Sequence, residues 1–224
     1  HQLSKLWFNL HTKDKKSSYA RDVFGQECFQ HEKADGCGLL GFYELLNQRK
    51  EVGMSLLNRA CEMGHLFSCI HLFKDTRKVR PQDQHAAMPY AVKLCQLKNG
   101  DACTWIGIRH LEKKDYIIAK DYFTLGCDQK NAEACHLQGM ISWDQGDKKF
   151  SGEFLDKGCK LKLAKSCYYL AEHLWLEKKK LDSYRYFKES CDFQFSNGCL
   201  GLGRFYSEQG DRNLALKYFS RSCE

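Results

Sequence analysis

Apolar and small residues recur along this chain at spacings of three, four and eight, always counted from a series of cysteines. Three positions after Cys37, Cys69, Cys103, Cys135, Cys167 and Cys199 stand Leu40, Leu72, Ile106, Gln138, Leu170 and Leu202. One position further on are Gly41, Phe73, Gly107, Gly139, Ala171 and Gly203, small in five of six cases. Four positions before Cys61, Cys95, Cys127, Cys159, Cys191 and Cys223 come Leu57, Ala91, Phe123, Leu155, Phe187 and Phe219. Eight positions before the same cysteines the residue is small every time: Gly53, Ala87, Ala119, Ser151, Ser183 and Ala215. These spacings belong to a 3.6-residue period, so each interval predicts two amphipathic helices. The turns Asp144-Gln145-Gly146-Asp147 and Glu208-Gln209-Gly210-Asp211 separate them, and Asp147, Asp211 and Asp115 are placed to cap the helix that follows. Facing small residues let the two backbones approach, and the large residue near the closing cysteine fills the space beyond them.

The unit repeats. Cysteine pairs with seven residues between them stand at Cys61/Cys69, Cys95/Cys103, Cys127/Cys135, Cys159/Cys167 and Cys191/Cys199, and Cys28/Cys37 is one residue longer. Their starts lie 32 to 34 residues apart. A fixed period of this length predicts an all-α solenoid, here one repeat domain over residues 1–224 with hairpins at about 37–61, 69–95, 103–127, 135–159, 167–191 and 199–223. Residues 1–27 fit an N-terminal capping pair, with Leu3, Leu6, Trp7 and Leu10 on its first helix and Ala20 and Phe24 on its second. The second hairpin departs from the rule: it is two residues longer, has Phe73 at a small site and holds both prolines, Pro81 and Pro89. Pro89 lacks an amide proton, which predicts a local kink or a shifted helix start near Met88. Cys223 closes the last hairpin without a following partner, so it is expected to be unpaired, bonded to another chain, or matched by residues beyond Glu224.

Composition refines this picture only in part. The net charge of +7, from 35 basic and 28 acidic residues, is spread along the chain and points to solubility more than to nucleic acid. No apolar run approaches the roughly 18 residues of a spanning helix, and no signal-peptide pattern opens the chain, which reads as a mature or trimmed soluble portion. Thirteen cysteines in register with a helical repeat call for either metal or disulfides. The zinc-knuckle spacing Cys-x2-Cys is absent, so disulfides in an oxidising compartment are the better account, and no metal or cofactor is expected. Each bond would staple one hairpin to the next and stabilise it by about 2–3 kcal/mol through loop closure. No phosphate loop, nucleophile elbow or paired-carboxylate motif is present, so the chain is not expected to be an enzyme.

The segment from Cys199 to Cys223, Cys-x2-Leu-Gly-x2-Tyr followed by Leu-Ala-Leu-Lys-Tyr-Phe-Ser-Arg-Ser-Cys, resembles the Sel1-like repeat, a relative of the tetratricopeptide repeat. The paired cysteines resemble those of the cysteine-rich secreted bacterial type, of which the Helicobacter cysteine-rich proteins are an example. Most units here are shorter than the family's, lacking its longer glycine-rich inter-helix turn. The resemblance implies a right-handed α/α solenoid, a periplasmic or secreted location, and a scaffold that binds another protein. Among the roles it implies are a periplasmic immunity protein that neutralises a secreted type VI phospholipase-like effector, a slow hydrolase of β-lactam compounds, and an assembly factor of the mitochondrial intermembrane space.

By the same analogy the first helix of each hairpin lines the concave face, at positions one, five and eight after its opening cysteine. Those positions hold Phe42 and Leu45, Ile108 and Leu111, then His136, Met140 and Trp143, then Tyr168, Glu172 and Trp175, and finally Leu200 and Arg204. The run is more apolar than a solvated face. Two readings are open: a partner-binding patch centred on Met140, Trp143 and Trp175, or packing between adjacent hairpins. The basic turns Lys113-Lys114, Lys148-Lys149 and Lys178-Lys179-Lys180 occupy equivalent positions and should fall along one edge of the stack, as solvated loops or as an electrostatic strip.

Overall fold

The computed structural model describes residues 18–79 and 84–223. The expected first capping helix at Gln2–His11 and the residue Pro81 lie outside them. Among the described residues there are thirteen α-helices and no strand. They fall into two compact units, divided between Asn99 and Gly100. The first holds α1 (Ser18–Phe29), then the hairpins α2 (Ala34–Leu46) with α3 (Lys50–Glu62) and α4 (Leu66–Val79) with α5 (Gln84–Gln96). The second holds four hairpins: α6 (Gly100–Glu112) with α7 (Tyr116–Asp128), α8 (Ala132–Asp144) with α9 (Lys148–Lys160), α10 (Ala164–Leu176) with α11 (Lys180–Asp192), and α12 (Ser196–Glu208) with α13 (Arg212–Arg221). In each unit every helix packs on the next in sequence, the α/α arrangement of a repeat array.

The register is uniform. Every first helix starts three residues before its opening cysteine, and every second helix starts eleven before its closing one. The capping aspartates act as the spacing predicts: Asp115, Asp147 and Asp211 accept from the backbone N–H of Ile118, Phe150 and Leu214 at 3.4, 3.1 and 3.0 Å. The packing rule is equally local. A Cβ at Gly139 would come within 2.7 Å of the Leu155 side chain, and one at Gly203 within 2.4 Å of Phe219, so the site four after the opening cysteine faces the site four before the closing one. That facing explains the divergent second hairpin, where Phe73 replaces the small residue and Ala91 the large one: the two sizes are exchanged, and both side chains are buried. The shifted helix start near Met88 is not found. Helix α5 begins at Gln84, in register with the others, and runs through Pro89. Pro89 is its sixth residue, past the N–H groups that lack an intrahelical partner, so the helix forgoes one interior bond, to the His85 carbonyl, and continues.

The cysteines lie where second helices meet the next first helices. Cys28–Cys37, Cys61–Cys69, Cys127–Cys135, Cys159–Cys167 and Cys191–Cys199 are bonded, with Cα atoms 4.4 to 4.8 Å apart. Cys95 and Cys103 are disulfide-bonded as well. Cys223 is a free thiol at the surface. No helix among the described residues is long and apolar enough to cross a membrane.

Candidate functional site

The first-helix positions divide between the units. In the first unit Phe42 is half-buried, its ring edge-on to His71 at 5.3 Å. Behind it Glu44 is buried to 1% exposure and held by two guanidinium groups: Arg21 Nε donates to one carboxylate oxygen at 2.7 Å and Arg49 to the other at 3.2 Å. A buried carboxylate needs such partners, because desolvation otherwise outweighs its attraction to a single distant charge.

The second unit is built differently. Ile108, with Leu111 and Leu137, packs against the core cluster around Phe123 and Ile141. Met140 lines a hollow of about 580 Å³ together with Leu111, Tyr116, Leu137, Ile141, Asp144 and Gln145. His136 is buried with its ring tilted against Tyr169 at 5.4 Å. Trp143 stacks on the buried ring of His173, 3.4 Å between centroids and 10° between planes. Lys148 Nζ sits 5.7 Å from the Trp143 ring centre. One hairpin on, Trp175 meets Phe187 and Phe205 edge-on at 6.1 and 6.4 Å. Lys180 Nζ and the Arg204 guanidinium approach the Trp175 ring at 5.4 and 5.5 Å. Arg204 also reaches Glu172 at 3.0 Å. Tyr168 lies within ring contact of Tyr169, Phe187 and Phe195, and Leu200 is exposed. The structure thus brings Tyr168, Glu172, Trp175 and Arg204 together, with Trp143 one hairpin back; Phe42 belongs to the other unit.

Trp143 and Trp175 pack between adjacent hairpins, yet both remain half-buried, with cationic side chains over their rings. The rule that the spacing did not expose is the partner position. Each tryptophan, eight after its opening cysteine, rests on the residue six after the next one, His173 in one case and Phe205 in the other. An aromatic residue recurs at that sixth position in Tyr43, His173 and Phe205, which was the available signal.

Burial also sets protonation. His136 is pushed down to about 4, by burial first and then by the nearby Lys165 charge. His173 is pushed down to about 4 as well, again by burial first, with Lys148 adding to it against the opposing pull of Glu177. Both rings are neutral at pH 7, and the Nδ1 of neither meets a hydrogen-bond partner in the protein. The Tyr168 phenol is raised, by burial and then by the Glu172 charge. The one trio of metal-type ligand atoms among the described residues is Cys159, Cys167 and Glu189. Its two sulfurs are joined to each other, so they offer no thiolate to an ion.

No family model matches the chain, and no curated protein matches it in sequence. Solved structures do match in fold. The crystal structure of a Sel1 repeat protein from Oxalobacter formigenes aligns with a TM-score of 0.67 at 12% identity, over 99% of this chain and 65% of that one. A structure from the functional characterization of Pseudomonas aeruginosa pilF aligns with a TM-score of 0.55 at 17% identity, covering 84% and 90%. A crystal structure of MamA aligns with a TM-score of 0.50 at 16% identity, covering 66% and 91%. The chain has the fold of a Sel1 repeat protein.

Proposed function

We propose that the chain is a non-enzymatic scaffold that holds another protein against the first helices of its second unit, in an oxidising compartment such as the periplasm or the cell exterior. The observation that carries this reading is the cluster of Tyr168, Glu172, Trp175 and Arg204: half-buried aromatic faces beside a charged pair, on the side of consecutive hairpins that the repeat presents in register. Tyrosine, tryptophan and arginine at a desolvated centre are the residue types that concentrate binding energy in protein interfaces. The staples between hairpins hold these side chains at fixed spacing, so little ordering cost accompanies docking.

Within that class the sharper reading is an immunity protein that binds and neutralises a secreted effector of the type VI phospholipase kind. Stapled bonds fit the compartment where such an effector is met. The test is capture of a secreted effector by the tagged, oxidised protein from the same organism, compared with the Arg204→Ala and Trp175→Ala variants. Loss of about tenfold or more in affinity by variants that keep their melting temperature supports the assignment. Unchanged affinity overturns the site, and survival of a deletion strain exposed to the effector overturns the immunity role.

A further inference from the structure

The residue two before a closing cysteine lies over the staple that precedes it. Arg59 covers the ring of Phe29, beside Cys28, at 5.3 Å, and Lys157 comes within 3.9 Å of Asp128, beside Cys127. Arg221 donates to the Cys191 carbonyl at 3.3 Å, and Glu189 sets a carboxylate oxygen 3.2 Å from the Cys159 sulfur. Along the chain this position reads Arg59, Lys93, Leu125, Lys157, Glu189 and Arg221, so Glu189 is its single acid. A cation suits the place, because the carbonyls that end the preceding second helix point toward it. A carboxylate does not, and the bonded Cys159 sulfur has no proton to give it.

Two neighbouring staples therefore meet opposite charges. Cys159–Cys167 has Glu189 against it, with the exposed Arg185 on the carboxylate's other oxygen at 3.4 Å. Cys191–Cys199 has Arg221, which shares the Asp192 carboxylate with Lys188 at 3.7 and 3.2 Å. Burial does not separate the two staples, since all four cysteines are 3% exposed or less. A disulfide opens when a thiolate attacks one sulfur and the other leaves as a thiolate. Glu189 opposes both routes: it repels an anion that attacks Cys159, and it repels the charge that Cys159 would take if Cys167 were attacked. Arg221 favours the same charge on Cys191.

The same staples hold the two halves of the first-helix cluster. Cys159–Cys167 ties down α10, with Tyr168, Glu172 and Trp175, and Cys191–Cys199 ties down α12, with Arg204 and Phe205. We propose that the cluster is gated by reduction: a dithiol opens Cys191–Cys199 first, while Glu189 keeps Cys159–Cys167 closed. The dithiol's thiolate attacks the Cys199 sulfur, the S–S bond breaks, and its electron pair leaves on Cys191, which takes a proton from water. The dithiol's second sulfur then gives up its proton and displaces Cys199, which takes a proton in turn, leaving two protein thiols and an oxidised, cyclic dithiol. Only noncovalent contacts then hold α12, and Arg204 is loosened from Glu172. The order of opening stands on the two charges alone; its effect on a partner rests on the first-helix reading.

The test is timed reduction of the oxidised protein by dithiothreitol, with new thiols alkylated and located by peptide mass spectrometry. It needs no partner, so its failure is distinct from a failure of the binding site. Cys191 and Cys199 should become alkylated about tenfold faster than Cys159 and Cys167. Glu189→Gln should speed the opening of Cys159–Cys167 about fivefold, and Arg221→Gln should slow that of Cys191–Cys199 by about the same factor. An uncharged phosphine separates charge from loosening: a merely loosened fold would speed both reagents alike, whereas Glu189→Gln should help the thiolate more. Equal rates at the two staples, Cys159–Cys167 opening first, an unchanged rate in either variant, or an equal gain with both reagents in Glu189→Gln would overturn the proposal.

Discussion

The two units are made from one hairpin and filled by different chemistry. In the first, the space behind the first helix holds the Glu44 carboxylate gripped by Arg21 and Arg49. In the second, the corresponding region holds histidine and aromatic rings, Trp143 on His173 and Trp175 on Phe205. An ion clamp is directional and ties particular helices together. A ladder of rings with cations over them leaves polarizable surface within reach of another molecule. The backbone repeat therefore fixes where side chains sit, and the side chains decide what surface each unit offers.

The largest expected effect comes from breaking the clamp on one side only. Arg21→Ala with Arg49→Ala leaves a buried carboxylate unpaired and should cost about 3–5 kcal/mol in the first unit. Hydrogen exchange should show α1 to α3 loosened and α8 to α12 unchanged; equal loosening in both units would contradict the comparison.

Acid should act on the second unit. His136 and His173 have folded pKa values of about 4, below the usual unfolded value of about 6.5. Between these limits the unfolded chain takes up protons that the folded chain refuses. Stability is therefore full above about pH 6.5 and falls as the pH drops toward 4, by up to about 3 kcal/mol per histidine. Urea unfolding across that window should show the slope, and His136→Gln with His173→Phe should flatten it.

Removing one staple is the next smaller step. Cys191→Ser with Cys199→Ser should lower stability by about 2–3 kcal/mol without changing the helical content at low temperature, read by circular dichroism. Cys223→Ser, by contrast, should change nothing in the melting curve, because that thiol is exposed and unbonded. Arg204→Ala should likewise have little effect on folding. Its ion pair with Glu172 is at the surface and should contribute only about 0–1 kcal/mol to folding, so any large loss of partner binding would be an effect on recognition.

Much of this architecture was legible from spacing. The cysteine register placed every hairpin, Asp115, Asp147 and Asp211 marked helix starts, and the small sites such as Gly139 and Gly203 announced close approach, because each of these is a local demand of backbone geometry. Other features depend on what faces a residue from a different helix, which periodicity does not encode. The Phe73 and Ala91 exchange looked like a broken rule until the equivalent positions, Gly139 with Leu155 and Gly203 with Phe219, were seen to face each other. Pro89 predicted a kink or a later helix start, whereas α5 begins at Gln84 and continues through it. Glu44 could not be distinguished from a solvated glutamate, since its two arginines lie 23 residues before it and five after it. For the candidate site, the sequence located the tryptophans and Arg204 but not their partners His173, Phe205 and Lys180.

The claim that the second unit's first helices form the binding face can be tested in the cell by site-specific photocrosslinking. A photoreactive phenylalanine analogue would replace either Arg204 or Phe67, an exposed aromatic residue of the first unit. The account predicts a discrete crosslinked adduct from position 204 and none from position 67. No adduct from position 204, or the same adduct from both, would contradict it.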